Sequence, residues 1–361
     1  MTKLTDLYDV EGQSPWLDNV RRDWLRDGTM ARYIAEGVRG VTSNPTIFAK
    51  AIAATSDYDE QLATLRDETP DEAFFTIAGK DIADTAALLA GVHESSQGAD
   101  GFVSFEVPPT LAYDTQGTVA AARHVAATFS LPNLLVKVPA TEPGLAAITA
   151  LISEGTSVNV TLIFGLERYD QVIDAYVAGL EAAAAQGRDL SSINSVASFF
   201  VSRVDTEVDG RLEKLGAPEA LRGRAAVAQA VVAYEQFTRR FSDARFDALV
   251  ASGARPQRPL WASTSTKNPA YADLLYVDSL IGPMTVNTMP DGTIKEFLDH
   301  GTVARTIDGD VEGARATLAA LGDAGVSLGD VAAVLERQGV DSFAASYHEL
   351  VTTIEEKRTG S

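Results

Sequence analysis

A lysine interrupts the apolar run LLVKVP at residues 134–139, where the pattern reads as a central β-strand that is hydrophobic on both faces. Lys137 therefore needs a reason. One is chemical: an amine activated by desolvation can attack a ketone carbonyl and form an imine. The other is structural, a lysine that pairs with a buried carboxylate or snorkels to the rim. Two carboxylates are available for either role, Asp18 in WLDN and Glu106 in VSFEV. Together they suit the proton transfers of carbinolamine formation, dehydration and carbon–carbon cleavage; alternatively, one of them neutralises Lys137. Asn44, Asn159 and Thr161 can orient substrate hydroxyls or a catalytic water, although amides at strand ends also cap the following turn. Arg203 follows ASFFVS, and Lys267 lies in ASTSTKNP, where neighbouring hydroxyls and backbone N–H groups add donors for a phosphate. Taken singly, each of these cations is more simply a solvated surface charge.

Positioning such groups together is a matter of strands. Eight short β-branched or apolar runs alternate with helical periodicity: 15–20, 40–44, 101–107, 134–139, 157–164, 194–200, 259–263 and 284–288. Eight parallel strands close a barrel, and the expected fold is a (β/α)8 TIM barrel forming one domain over residues 1–361. Nearly every strand ends in a polar residue: Asp18, Asn44, Glu106, Lys137, Asn159 with Thr161, Ser198, Ser263 and Asn287. That end is the face on which barrels of this kind carry their sites. Side chains alternate with period two, so Thr42 with Asn44, Ser104 with Glu106, and Asn159 with Thr161 share a face. Between strands, 167–185 and 224–241 are amphipathic helices. Residues 311–357 read as additional helices packed on the barrel, with Gly322, Gly325, Gly329 and Gly339 marking turns.

Bulk properties narrow the function. The formal charge of −20, without a Lys/Arg-rich stripe, opposes binding to a nucleic-acid backbone, yet it leaves room for a small anion held by convergent cations. No apolar run approaches a membrane span, and MTKLTDLYDVEG has no apolar signal core, so a soluble, cytoplasmic protein is expected. The absence of cysteine excludes disulfides, thiolate metal sites and cysteine nucleophiles. His93, His124, His300 and His348 stand neither at strand ends nor at ligand spacing, and no GxGxxG or GxxxxGK[ST] fingerprint occurs. Neither metal nor nucleotide cofactor is signalled.

Seven segments, WLDN, GVTSNPTIF, VSFEV, LLVKVPAT, VNVTLIF, SVASFFVSR and WASTSTKNP, occur in an order that resembles the motifs of the transaldolase family, from about residue 14 to at least 290. LIGPMTVNTMP resembles the longer bacterial members. The resemblance implies a cofactor-free barrel in which Lys137 forms a Schiff base. It further implies that Asp18 exchanges the proton of the substrate C4 hydroxyl and that Glu106 acts through a water held by Thr161. Asn44 and Asn159 then bind the dihydroxyacetone part and hydroxyls, Ser198, Phe200 and Ser263 line the pocket, and Arg203 holds phosphate. Many members carry a second arginine soon after the serine matching Ser263, whereas this chain reads Ser263-Thr264-Ser265-Thr266-Lys267; Lys267 with Ser265 is the expected substitute. The implied reaction moves dihydroxyacetone from sedoheptulose 7-phosphate to glyceraldehyde 3-phosphate, giving erythrose 4-phosphate and fructose 6-phosphate. A fructose 6-phosphate aldolase would use the same lysine, and a non-catalytic sugar-phosphate-binding barrel and a metal-dependent lyase remain as rivals. The oligomeric state is left open.

Overall fold

The computed structural model describes residues 2–359. All eight apolar runs become strands: β1 Gln13–Leu17, β2 Gly40–Val41, β3 Val103–Glu106, β4 Leu134–Pro139, β5 Val158–Ile163, β6 Ser195–Phe200, β7 Arg258–Ala262 and β8 Thr285–Met289. They pair in parallel in chain order, and β8 returns to β1, closing a (β/α)8 barrel with helices around it. Closure leaves no strand edge unpaired.

Where strands are shorter than expected, local chemistry has taken over. β2 stops at Val41 because Asn44 has already turned into the N-cap of the helix Pro45–Ala54, its side chain accepting from the Ile47 N–H at 3.0 Å. Asp18 lies one residue beyond β1, although its N–H still reaches the Met289 carbonyl at 2.9 Å. Inside the barrel, large and small residues fit across strands. A Cβ at Gly40 would lie 2.4 Å from the Trp16 indole, so the fully buried Trp16 can fill that interior only because residue 40 has no side chain.

β5 carries an irregularity. Its register with β6 shifts between Val160 and Ile163, and Leu162 takes the left-handed conformation at φ 62°. A bulge of this kind turns the strand end and re-aims the side chains beside it, here Thr161.

The amphipathic helices fall close to expectation, at Leu166–Ala185 and Ala225–Arg240. The tail differs. It forms Val311–Asp323 and then one helix of 32 residues, Leu328–Thr359, which at 1.5 Å per residue is about 48 Å long. Gly325 does mark a turn, but Gly339 lies inside the long helix, where a Cβ would sit 3.0 Å from Leu162 Cδ2 and 3.4 Å from the Phe164 ring. The glycine serves close packing against the β5 bulge, not a break. Beyond it the helix runs along Pro45–Ala54 and Pro70–Ser95. No single helix among the described residues is long and apolar enough to cross a membrane.

Candidate active site

At the C-terminal end of the strands lies a cavity of about 230 Å³ lined by residues from seven strands or the turns and helices that follow them, and by Phe343 of the C-terminal helix. Lys137 is 4% exposed, and its Nζ donates to the Ser43 carbonyl at 3.1 Å. Glu106 stands opposite on β3, paired in register with Lys137, with Oε2 3.3 Å from Nζ. That oxygen has no hydrogen-bond partner, and neither does the buried Thr161 hydroxyl. Burial pushes the Glu106 carboxyl above its ordinary value; the Lys137 charge opposes this and the Asp18 charge adds to it. Glu106 itself sits behind Lys137 and does not line the cavity.

Asp18 does line it, half-buried, with Oδ1 accepting from the Thr42 hydroxyl at 2.6 Å; Thr42 in turn meets the Thr288 hydroxyl at 2.7 Å. Burial raises the Asp18 carboxyl as well, against the lowering pull of Lys137, the Thr42 hydrogen bond, Lys267 and Arg203. Both carboxylates are thus moved toward the range in which they can accept and return protons near neutrality.

On the other side are cations. Arg203, in the first turn of the helix Ser202–Leu215, has no hydrogen bond or ion pair with another described residue; its guanidinium lies 5.3 Å from the Phe200 ring centroid and 6.0 Å from that of Phe343. The helix has no side-chain N-cap bond. Burial lowers the Arg203 pKa, with Asp18 opposing. Lys267 donates to the Ser265 hydroxyl at 2.6 Å, and burial together with the Arg203 and Lys50 charges lowers its pKa. Unpaired cations facing one cavity fit an anionic group.

Of the residues singled out from the sequence, Asp18, Asn44, Lys137, Thr161, Ser198, Phe200, Arg203, Ser263, Ser265 and Lys267 all line this cavity. Asn44 does so while its oxygen caps a helix. Ser263, at φ 58°, meets the Ser202 hydroxyl at 2.9 Å. Asn159 is placed deeper: its amide donates to Ser104 at 3.0 Å and accepts from Ser198 at 2.7 Å, forming a polar layer outside the cavity lining. Asn287 points elsewhere, donating to the Tyr276 carbonyl; its neighbour Thr288 faces the cavity, as period-two alternation requires. Sequence reasoning missed Lys50, Thr288 and Phe343. Lys50 follows Asn44 by six residues on a helix and gives no strand signal, and Phe343 comes from the far end of the chain. No group of three or more His, Cys, Asp or Glu among the described residues is arranged to hold a metal.

A buried lysine between carboxylates, facing unpaired cations at the C-terminal mouth of a parallel barrel, defines a barrel suited to carbonyl chemistry on anionic substrates. Comparison with known proteins gives this class a family. The model of the transaldolase/fructose-6-phosphate aldolase family matches residues 15–354. The chain is 52% identical over 357 residues to a transaldolase of Thermobifida fusca (strain YX), covering 97% of each chain. It is 51% identical over 360 residues to a transaldolase of Parafrankia sp. (strain EAN1pec), covering 98% of this chain and 97% of the other. Transaldolase 1 of Streptomyces coelicolor (strain ATCC BAA-471 / A3(2) / M145) is 50% identical over 350 residues, covering 95% of this chain and 92% of its own. The chain belongs to the transaldolase/fructose-6-phosphate aldolase family.

Proposed function

We propose that this protein is a transaldolase that transfers a dihydroxyacetone unit between phosphosugars through an imine on Lys137. The observation that carries the reading is the buried Lys137 amine, 3.3 Å from Glu106 and open to a cavity whose far side holds Arg203 and Lys267. A ketose phosphate binds with its phosphate against Arg203, the Ser265–Lys267 pair and the uncapped helix end. Asn44, Ser198, Phe200 and Ser263 line the path of the sugar. Asn159 acts from below, holding Ser104 and Ser198 in place.

Lys137 Nζ attacks C2, and Glu106, through a water that the Thr161 hydroxyl would also satisfy, moves the protons of dehydration. Asp18 takes the C4 hydroxyl proton, the C3–C4 bond breaks, and the aldose phosphate leaves. The fragment waits as a resonance-stabilised enamine until an acceptor aldehyde arrives and the steps reverse. Sedoheptulose 7-phosphate and glyceraldehyde 3-phosphate are the donor and acceptor of this reading, within the pentose phosphate interconversions. It includes no metal or organic cofactor. One barrel unit carrying its C-terminal helices, in a cytoplasmic setting, completes it; the formal charge of −20 supports the exclusion of nucleic acid as a partner.

Mixing the protein with fructose 6-phosphate and erythrose 4-phosphate tests the reading. Sedoheptulose 7-phosphate and glyceraldehyde 3-phosphate are the expected products. Free dihydroxyacetone in place of the heptulose would make the protein an aldolase instead.

A further inference from the structure

We infer that Phe343 decides whether the three-carbon fragment is transferred or lost, by covering the carbanion on Lys137 against protonation. The inference rests on the imine reading above.

Phe343 is 4% exposed, and its ring centroid lies 5.7 Å from Lys137 Nζ and 6.0 Å from the Arg203 guanidinium carbon. Among the described residues it is the only one lining the cavity that comes from the C-terminal helix. Its ring therefore lies beside both the amine that holds the fragment and the cation that meets the phosphate. With Phe200, which the Arg203 guanidinium also approaches, it sets two aromatic rings into a lining that is otherwise mostly polar.

Neighbouring turns of the helix hold that ring still. One turn earlier, Gly339 lets the helix press on Leu162 of the β5 bulge. One turn later, the Tyr347 hydroxyl donates to Asp71 Oδ1 at 2.5 Å, and its ring meets Phe74 edge-on at 5.8 Å. Ser346 accepts from the Thr46 hydroxyl at 2.8 Å, tying the same turn to a residue of the cavity wall. Phe343 is a fixed cover, anchored on both sides.

Chemistry gives that cover a task. After C3–C4 cleavage the fragment is an enamine of Lys137. If a water beyond the one that Glu106 and Thr161 would hold reaches it from the cavity, a proton passes from that water to the carbanionic carbon, hydroxide adds to the resulting iminium carbon, and the C–N bond breaks. One water is consumed, dihydroxyacetone leaves, and the lysine amine is restored. An acceptor aldehyde has to reach the carbon before this happens, so excluding water there favours transfer.

The test incubates wild type, Phe343→Ala and Phe343→Leu with fructose 6-phosphate, with and without erythrose 4-phosphate. Dihydroxyacetone release, transfer, and the borohydride-trapped adduct on Lys137 are measured together. Phe343→Ala should raise release relative to transfer by about tenfold or more, while Phe343→Leu keeps most of the wild-type partition and the adduct forms in all three. An unchanged partition in an adduct-forming Phe343→Ala, or a Leu variant as leaky as the Ala one, overturns the inference. Phe343→Val takes away the ring with a smaller loss of packing than Ala, and so covers a failure of the Ala variant to fold. Release should rise in Phe343→Val, and an unchanged ratio overturns the inference. A wild type that transfers but traps no adduct removes the imine reading itself, an outcome distinct from an unchanged partition.

Discussion

The two ends of this barrel both bury a carboxylate among cations, and they treat it in opposite ways. Near the N-terminal end, Asp100 takes hydrogen bonds from the Ser14 hydroxyl at 2.5 Å, the Trp16 indole at 2.9 Å, Arg39 at 2.9 Å and Arg258 at 3.5 Å. Both oxygens are used, and the arginines lie against protein groups, Arg39 over the Tyr8 ring and Arg258 on Ser14. At the C-terminal end, Glu106 Oε2 meets only the Lys137 amine, at 3.3 Å and without a formed hydrogen bond, the Thr161 hydroxyl has no partner, and the Arg203 guanidinium has no carboxylate among the described residues. A saturated network ties β1, the Asp100 loop and β7 together. An unsaturated one holds free valences at fixed positions for something that comes and goes. Single unpartnered polar atoms occur elsewhere, among them Gln13 Oε1 and Trp261 Nε1, but only at the C-terminal end among the described residues do they meet a buried lysine and cavity-facing cations, which marks it as the end at which chemistry is done.

The sharpest way to break this contrast is a crossed pair of substitutions. Lys137→Met should lower kcat by roughly 10⁴-fold or more with at most a modest fall in the thermal midpoint, since the Glu106 carboxyl left without its partner is already raised by burial and can take a proton. Asp100→Ala should do the reverse, destabilising by about 3–5 kcal/mol because it strands two arginines, with activity per folded molecule kept. Urea unfolding beside a transfer assay reads both. An active Lys137→Met enzyme, or an Asp100→Ala protein of wild-type stability, removes the contrast.

Within the mouth the carboxylates come next. Glu106→Gln should reduce kcat by about 10²–10⁴-fold with little change in KM, since Glu106 lies behind the lysine and does not line the cavity. Arg203→Ala should act on KM, raising it for phosphorylated substrates by roughly tenfold to a hundredfold, with Arg203→Lys recovering part of the loss. An equal effect on non-phosphorylated acceptors would show that Arg203 shapes the pocket and does not read phosphate.

The smallest effect concerns pH. Asp18 and Glu106 have carboxyls raised above 3.8 and 4.5 in the folded state, so over the interval above those values the folded protein binds more protons than the unfolded chain. Their contribution is therefore most favourable at or below the ordinary value and is lost as pH rises through the folded one. Asp205 behaves alike, pushed up to about 6 by burial against hydrogen bonds from the Ala226 N–H and the Tyr276 hydroxyl. Asp18→Asn and Glu106→Gln should match wild-type stability near pH 4 and gain on it toward neutrality. Denaturant midpoints across that range check the sign.

How much of this is readable in the chain differs between parts of the molecule. The run at 134–139 is legible to the residue, because an apolar strand with one lysine admits few alternatives and β4 is buried throughout. β2 reads too long because Asn44 looks like a strand end and acts as a helix cap, a choice settled by the proline after it. Asn159 is legible as an inward polar residue but not as one spent on Ser104 and Ser198, since depth within a barrel depends on stagger between strands. Gly339 carries the wrong meaning in the sequence: a glycine in a helical stretch suggests a turn until the neighbour that needs its missing side chain is seen. Phe343 gives no signal at all, because 206 residues separate it from Lys137 and no local pattern records that proximity.

The central claim is that Lys137 bonds covalently to substrate. Incubation with fructose 6-phosphate, reduction with borohydride and peptide mass spectrometry address it directly. The account predicts a reduced three-carbon adduct on Lys137 and on no other lysine. Active protein that yields no adduct, or one attached to Lys50 or Lys267, would contradict it.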